Sequence, residues 1–322
     1  MISSSFLSLA QSYALLFANA KSKSRLSIMH INRKEFLIRN KFGISTINLF
    51  FDLALQAGSN FIIECGANDA SVSRRFIRGN SGSRAIAIEA NPFVYEKFEA
   101  INAIPSLDYI QTGLSDKKKK VQFNIPNVTD RDTSIFGSFQ KLPKYYQDYT
   151  SISIDTDKLD SLVKKTLFSR DSKVFMWIDV EGEAYNLFCG ADKLLNLGVI
   201  KVIYVEVQES DHYKEERVGL EIAELLGKYG FEPVARDFPL ADLYNLVFIH
   251  KSELKYALPV LNRYWSQLYT IKAPFIEFRR PDRMLSWLKK SLLNLVPSNL
   301  HSIVHRVLAV LGSKSSRTGL NS

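Results

Sequence analysis

Residues 61–78 read FIIECGANDASVSRRFIR, and this stretch decides the fold. The mostly apolar run 61–65 predicts a buried strand, and the amphipathic run 69–78 predicts a helix directly after it. The turn between them contains small residues that allow a ligand to approach the backbone. A strand, a tight turn and a helix in this order are typical of a parallel sheet whose strands are joined by crossover helices.

The same alternation continues to residue 250. Four further strands are predicted at 84–89, 107–112, 174–179 and 199–207, and a closing hairpin at 231–235 and 243–250. Helices are predicted to open at Pro92 and to span 157–167, 183–195 and 213–229, with additional strands at 121–125 and, at an edge, 151–154. The pattern predicts an α/β fold: a doubly wound, mostly parallel seven-stranded Rossmann-like sheet with a C-terminal antiparallel hairpin and helical flanks.

Charge divides the 322-residue chain into three parts, although the formal total is +9. Residues 1–55 hold seven basic and two acidic groups (net +5), and residues 253–322 hold eleven and three (net +8). Residues 56–252 hold 24 basic and 28 acidic groups (net −4). We therefore predict a basic N-terminal helical flank (1–55), a central domain (56–252) and a basic, partly amphipathic C-terminal extension (253–322). Any polyanionic partner is expected to meet the flanks.

The C-terminal extension contains a segment typical of helices that lie on a membrane surface. Residues 279–308 combine six basic side chains with Trp287 and many leucines, so contact with an anionic membrane surface is expected. The alternative is an accessory helix that packs on the core or on a second subunit. Nucleic acid is not expected as a partner, because aromatic residues do not interleave with the basic ones.

Targeting signals and cysteines favour a cytoplasmic protein that associates with membranes at most at their surface. Residues 6–20 are apolar, but no basic residue precedes them and three follow closely, which argues against a signal peptide. No apolar run reaches the length of about 18 residues that a spanning helix needs. Two cysteines cannot build a disulfide framework, and neither is predicted to be a nucleophile; Cys189 is predicted to lie in the core.

Acidic side chains at the carboxyl ends of the first two strands indicate the ligand, since ligands of open α/β sheets bind beyond these ends. Glu64 stands at the first glycine position of the dinucleotide fingerprint, where it would repel a pyrophosphate and suit the ammonium of an amino-acid moiety. Glu89 follows Gly66 by 23 residues and can accept both hydrogen bonds of a ribose diol. Together they favour S-adenosylmethionine, and we expect Glu64 and Glu89 to face one shared cavity.

Catalytic candidates follow the later strands. Asp179 and Glu181 are two residues apart and therefore point to one face; Asp179 is the favoured general base, and Glu181 either joins the site or caps the next helix. His212, after the fifth strand, is the other candidate base unless it is only solvated. The acid-rich tip 206–212 offers ligands for a divalent cation, but no metal is assigned. The long polar stretch 126–150 is expected to cover the site.

These segments resemble the FkbM family of class I methyltransferases. The resemblance spans 61–250 and rests on IIECGANDASVSRRF, AIAIEANP, TGLSD, LDSL, WIDVEGEAYNLFCGADKLL, IYVEV and YNLVFIH. It implies S-adenosylmethionine-dependent methyl transfer, usually to an oxygen of a sugar, glycan or natural product. The implied cofactor contacts are Glu64, Gly66, Ala67 and Asn68 around the methionine portion, Glu89 on the ribose, Ser115 and Asp116 near the adenine, and Asn91. The chain departs from the family pattern at Glu64, where Asp is common, and at Ala70, where Gly is common.

Two other functions remain open from the residues. One is a non-catalytic binding or scaffold protein that kept the sheet and lost the chemistry. The other is a nicotinamide oxidoreductase, which Glu64 disfavours because it replaces the first fingerprint glycine. The methyl acceptor, a small molecule or glycan, is not identified by the sequence, and no oligomeric state is predicted.

Overall fold

The computed structural model describes residues 18–20, 33–127, 137–139, 148–163, 168–169, 171–208, 219–239, 243–269 and 276–278. The elements follow one another as β1 (Ala18–Ala20), α1 (Arg33–Ala57), β2 (Phe61–Cys65), α2 (Ser71–Gly79), β3 (Arg84–Glu89), α3 (Pro92–Lys97), a 3₁₀ turn (Glu99–Ala103), β4 (Leu107–Gln111), β5 (Gly113–Leu114), β6 (Lys119–Pro126), β7 (Tyr149–Asp157), α4 (Leu159–Leu162), β8 (Val174–Ile178), α5 (Ala184–Cys189), α6 (Asp192–Asn196), β9 (Ile200–Gln208), α7 (Gly219–Lys228), β10 (Phe231–Arg236), β11 (Leu243–His250), α8 (Leu254–Tyr269) and β12 (Ile276–Phe278). His212 and the segment 279–308 lie outside the described residues.

Seven strands form the central sheet in the order β10-β11-β9-β8-β2-β3-β4. The five strands from β9 to β4 in this order run parallel, and β11 is antiparallel to both β9 and β10. The predicted doubly wound fold with a closing hairpin is therefore confirmed. The order reverses between β2 and β8, which makes the carboxyl ends of these two strands the expected ligand site.

The sheet forms because both of its faces are covered. All five residues of β2 are buried, as continuous apolar strands of parallel sheets require. Ile62 belongs to one hydrophobic cluster, together with residues of α1 and α8, and Ile63 belongs to the other, together with residues of α5, α6 and α7. The two clusters fix the register of the strands, since a shift of one residue would exchange the faces.

Helices from both predicted flanks pack on the same face of the sheet. Phe50 of α1 and Trp265 of α8 are buried in the first cluster, and the Trp265 Nε1–H donates to the Val234 carbonyl of β10 at 3.0 Å. Thr46 and Tyr264 join the two helices through their hydroxyls at 3.1 Å. The division of the chain at residues 55 and 252 stays a prediction. Among the described residues, no helix is both long and apolar enough to cross a membrane.

A second, three-stranded sheet is inserted between β4 and β8. Its order is β5-β7-β6, with β6 antiparallel to β7 and β5 parallel to the end of β7. The predicted edge residues 151–154 pair with 121–124 of β6, whereas β5 pairs beyond them, with Thr156 and Asp157. The pairing therefore agrees with an edge position for 151–154, although β7 as a whole is the central strand of this sheet.

Two predicted helices differ from the structure for identifiable reasons. The span 183–195 is divided into α5 and α6 at Gly190, where a Cβ atom would lie 2.2 Å from the carbonyl oxygen of Ser115. The span 157–167 begins inside β7 and contains only the four residues of α4 in its described part. Cys189 at the end of α5 is exposed, so its predicted core position is wrong.

Candidate functional site

A cavity of about 290 Å³ lies at the carboxyl ends of the parallel strands, beside the reversal of strand order. Its volume is near the lower end of the range for ligand pockets, roughly 300 to 1,000 Å³. The lining residues come from both sheets and are Gly66, Asn68, Ile88, Glu89, Ala90, Val94, Thr112, Leu114, Phe123, Gly137, Ser138, Phe139, Asp179, Val180, Glu181 and Glu206. The cavity therefore lies where the ligand of an open α/β sheet is expected.

The turn after β2 forms one wall and is held by its neighbours on both sides. The N–H groups of Gly66 and Ala67 both donate to the Ile88 carbonyl of β3, at 2.9 and 3.0 Å, and the Asp179 N–H donates to the Cys65 carbonyl at 2.9 Å. Gly66 has φ +76°, and a Cβ atom there would lie 1.7 Å from the Asp179 carbonyl oxygen. Only glycine allows the turns after β2 and β8 to approach this closely.

Glu89 organises the next part of the wall. Its carboxylate accepts the Asn68 N–H at 2.8 Å and the Asn91 N–H at 2.7 Å. Asn68 has φ +46°, a backbone conformation that is uncommon for residues other than glycine, and its carbonyl accepts the Tyr109 hydroxyl at 2.5 Å. Burial raises the pKa of Glu89, and the N–H donors of Asn91 and Asn68 partly offset this effect.

Glu64 lies behind the turn rather than in the cavity wall. It is 2% exposed, and its carboxylate accepts the N–H of Ser73 in the first turn of α2 at 2.7 Å. The N-cap residue Ala70 has no side-chain acceptor, so Glu64 and Asp69, which accepts the Ser71 N–H at 3.1 Å, satisfy the free donors of this helix. Burial raises the pKa of Glu64 from its ordinary value of 4.5 to about 7. The expectation that Glu64 and Glu89 face one cavity is thus corrected, because α2 covers Glu64.

Three carboxylates meet on the opposite side of the cavity. Asp179 and Glu181 follow β8, and Glu206 lies on β9; one carboxylate oxygen of each falls within 4.8 Å of those of the other two. Glu181 has φ +45°, and its carbonyl accepts the Ser138 hydroxyl at 3.0 Å. Such a cluster attracts positive charge and can accept a proton or hold a divalent cation. Glu181 therefore lines the cavity, Glu183 is the N-cap residue of α5, and the catalytic role of Glu181 stays a prediction.

The second sheet supplies the outer wall. Ser138 pairs with Asn124 of β6 through two backbone hydrogen bonds, at 2.9 and 3.0 Å. Phe139 packs edge-on against Phe123 with ring centroids 5.6 Å apart, and both rings line the cavity. The predicted covering segment 126–150 thus reaches the site with its described residues 137–139.

The remaining predicted contacts lie beside the cavity and are absent from its described lining. Asn91 accepts the Phe93 N–H at 3.0 Å and begins α3; Ser115 is buried; and Asp116 pairs with Lys119 at 3.8 Å. Ala67 is buried in the core cluster. Their roles toward a cofactor stay predictions.

The sequence predictions missed lining residues of two kinds. The sequence predicts Glu206 only as part of the acid-rich tip 206–212, and its signal is an acid near the carboxyl end of a mostly apolar strand. It meets Asp179 because β8 and β9 are neighbours in the sheet. Thr112, Leu114 and Phe123 lie on or beside the second sheet, and no local pattern predicts their approach to the central one. Ser138 belongs to the predicted covering stretch 126–150, although the sequence does not single this residue out.

The strand order is that of a Rossmann-like α/β fold, a class whose ligands bind at the reversal of strand order. A sequence model of the methyltransferase FkbM domain matches residues 64–233, which are 170 of the 322 residues. The chain therefore belongs to the FkbM methyltransferase family, as its motifs predicted.

The chain is also similar to single proteins. The chain is 24% identical over 195 residues to the 2-O-methyltransferase NoeI of Sinorhizobium fredii (strain NBRC 101917 / NGR234), which covers 58% of this chain and 77% of NoeI. Among solved structures, the magnesium protoporphyrin IX methyltransferase ChlM from Synechocystis PCC 6803 is similar with a TM-score of 0.37 and 9% identity, covering 77% of this chain and 95% of that one. Precorrin-6y C5,15-methyltransferase from Geobacter metallireducens GS-15 has a TM-score of 0.31 and 13% identity, with coverage of 59% and 80%.

Proposed function

We propose that the protein is an S-adenosylmethionine-dependent O-methyltransferase that acts on a hydroxyl group of a sugar, glycan or natural product. The observation that carries this proposal is that one cavity combines Glu89 and the Gly66 turn with the carboxylates of Asp179, Glu181 and Glu206. Family membership supports methyl transfer, and the similarity to a 2-O-methyltransferase supports an oxygen acceptor.

The residues on the β2–β3 side of the cavity fit a nucleoside with an amino-acid moiety. A carboxylate oxygen accepts more than one hydrogen bond, so Glu89 keeps acceptor capacity for a ribose diol beside its two backbone donors. Gly66 lines the same wall and lets the turns after β2 and β8 meet there, and Asn68 adds an amide. Glu89, Gly66 and Asn68 would hold the cofactor, with Glu64 acting indirectly by fixing the start of α2.

The chemistry then needs little from the protein besides orientation and a proton acceptor. S-adenosylmethionine, when bound, supplies an electrophilic methyl group on a positively charged sulfur. The clustered carboxylates favour positive charge in the cavity, and Asp179 is placed to accept the proton of the acceptor hydroxyl. Phe123 and Phe139 exclude water from the outer side, which strengthens these electrostatic interactions.

Two measurements test this proposal. Calorimetry with S-adenosylhomocysteine should detect binding to the wild-type chain and a strong loss in Glu89→Ala. Incubation with methyl-labelled S-adenosylmethionine and an extract of the source cells should label a carbohydrate or other hydroxyl compound. Asp179→Asn should slow this labelling by about 10² to 10⁴-fold while S-adenosylhomocysteine still binds, since a general base contributes that much.

Asp108→Asn is the matched control, because Asp108 is an exposed residue of β4 that pairs with Arg84 at 3.5 Å and does not belong to the described lining. It should leave the labelling rate nearly unchanged. No binding of S-adenosylhomocysteine to the wild-type chain would refute the cofactor assignment. Binding without any labelling would favour the non-catalytic alternative, and labelling of nitrogen or carbon would refute the hydroxyl acceptor.

A further inference from the structure

A second cavity, of about 440 Å³, lies on the face of the sheet that α1, α2 and α8 cover. It shares no lining residue with the candidate methyltransferase site. Asn48, Asp52 and Leu55 of α1 line it together with Arg75 of α2 and Arg263 of α8. Because α1 and α8 belong to the two basic flanks, this cavity is where both flanks meet.

The charged lining residues of the cavity are Arg75, Arg263 and Asp52, which give a net charge of +1. The Arg75 guanidinium lies 3.9 Å from the ring centroid of Phe51 and donates to the Asn48 Oδ1 atom at 3.3 Å, but within the described part of the chain it makes no ion pair. Arg263 pairs with Asp52 at 3.3 Å, and both of these side chains are largely exposed. The three helices together hold nine basic and two acidic residues, a net charge of +7.

An exposed apolar stripe runs along α1 on the same side as this cavity. Leu37, Ile44 and Leu55 are 57, 60 and 58% exposed, and their spacings of seven and eleven residues place them on one side of the helix. Lys41 and Asn48 fall on this side as well, and both are exposed. Apolar side chains beside basic ones are the pattern of helices that bind the interface of an anionic membrane.

We propose that this cavity holds the phosphate of an anionic phospholipid headgroup, and that the Leu37–Ile44–Leu55 stripe contacts the boundary of the acyl chains. The guanidinium groups of Arg75 and Arg263 present planar sets of N–H donors that match phosphate oxygens. Charge complementarity selects an anion, and the neighbouring stripe selects a lipid over a soluble phosphate ester.

Sedimentation of the full chain with vesicles tests the proposal. The wild-type chain should bind vesicles that contain roughly one-third phosphatidylglycerol in phosphatidylcholine, and it should release them at high salt. It should not bind vesicles of pure phosphatidylcholine. Arg75→Gln combined with Arg263→Gln should weaken binding by roughly tenfold or more. Leu37→Gln combined with Ile44→Gln should also weaken it, although the charge is unchanged.

The matched control is Lys117→Gln combined with Lys118→Gln. It removes two exposed charges that do not line this cavity and that lie between β5 and β6 of the second sheet. It should weaken binding by less than about threefold. S-adenosylhomocysteine binding should be unchanged in all variants, which shows that they fold and separates this surface from the methyltransferase site. An equal loss in the lysine variant, or no loss in the arginine variant, would overturn the proposal. Soluble glycerol phosphate should compete with the vesicles only weakly. If it bound as tightly as the vesicles, and lost this binding in the arginine variant, the occupant would be a soluble phosphate ester and the lipid proposal would be wrong.

Discussion

The bodies of β2 and β8 and the turns that follow them differ in backbone and in composition. In the strand bodies, Ile62, Ile63, Phe175 and Met176 are fully buried in extended backbone. The turns 66–70 and 179–182 contain every non-glycine residue with positive φ in the described part of the chain, namely Asn68, Ala70 and Glu181. The buried strand bodies thus stabilise the fold, and this stability offsets the cost of the strained backbone that the turns adopt around the cavity.

This difference predicts how each region responds to substitution. A buried strand residue can lose several atoms and leave a cavity, at a cost of about 2 to 5 kcal/mol for Ile→Ala. At Gly66, in the turn after β2, one added carbon has no space, because the backbone of Asp179 rather than a mobile side chain occupies the position it would take. The turns should therefore be less tolerant of small changes than the core beneath them.

Gly66→Ala is expected to have the largest effect. Its Cβ atom would lie 1.7 Å from the Asp179 carbonyl oxygen, so the two turns must separate. We expect a loss of about 4 kcal/mol or more in the free energy of unfolding, and loss of S-adenosylhomocysteine binding in the protein that still folds. Urea denaturation and calorimetry measure the two effects.

Gly58→Ala is its matched control. Gly58 has φ +64°, close to that of Gly66, but no atom lies within 4 Å of its added Cβ. It should lose only the cost of left-handed backbone, about 1 to 2 kcal/mol, and keep ligand binding. Equal losses in the two variants would mean that backbone strain, and not the contact between the turns, makes the site intolerant.

The contrast between strand bodies and turns also explains what the sequence could predict. The bounds of β2 and β3 agree with the predicted 61–65 and 84–89, because continuous apolar runs that end in small or polar residues determine them. The alternation of side chains correctly puts Glu64 and Glu89 on one face of the sheet. It could not show that α2 covers this face at Glu64 and leaves it open at Glu89, since that depends on helix packing.

For a similar reason, the sequence predicts a cover from 126–150 but not the wall that β6 adds to the cavity. Phe123 and Ser138 reach the cavity through a pairing of β6 with a segment that is remote from the central strands in sequence. Asp179 and Glu206 come together only because β8 and β9 are neighbours in the sheet. Local patterns indicate which residues end strands, and the strand order decides which of these residues meet.

Glu64→Gln should have the next largest effect, and this effect should depend on pH. The folded chain raises the pKa of Glu64 to about 7, above its ordinary value of 4.5, so the folded state holds the proton more tightly than the unfolded state. Stability therefore falls as pH rises from about 4.5 to 7, and the full cost of about 3 kcal/mol is present above pH 7. Gln carries no charge, so the stability of the variant relative to wild type should increase by up to that amount across this window.

Chemical denaturation at several pH values measures this difference, and Glu64→Asp provides the control. The aspartate keeps an ionisable carboxyl at the start of α2, so its stability should still fall with rising pH. A constant difference between Glu64→Gln and wild type from pH 4.5 to 8 would show that the buried carboxyl is not responsible for the dependence.

Ala70→Gly should have the smallest effect on the free energy of unfolding. The sign of this effect should be opposite to that of the same substitution in an ordinary helix. Ala70 has φ +50°, a conformation that costs an L-residue about 1 to 2 kcal/mol and glycine almost nothing. The substitution also removes a buried methyl group worth about 0.8 kcal/mol, so a net stabilisation of up to about 1 kcal/mol is expected.

Ala54→Gly, at an equally buried position inside α1, relieves no strain and should destabilise by about 2 kcal/mol, since it loses both helix propensity and a buried methyl. Urea denaturation of the two variants should therefore give shifts of opposite sign. Destabilisation of similar size in both would mean that the turn after β2 holds no strain that glycine can relieve, and that its difference from the helices and strand bodies lies in contacts alone.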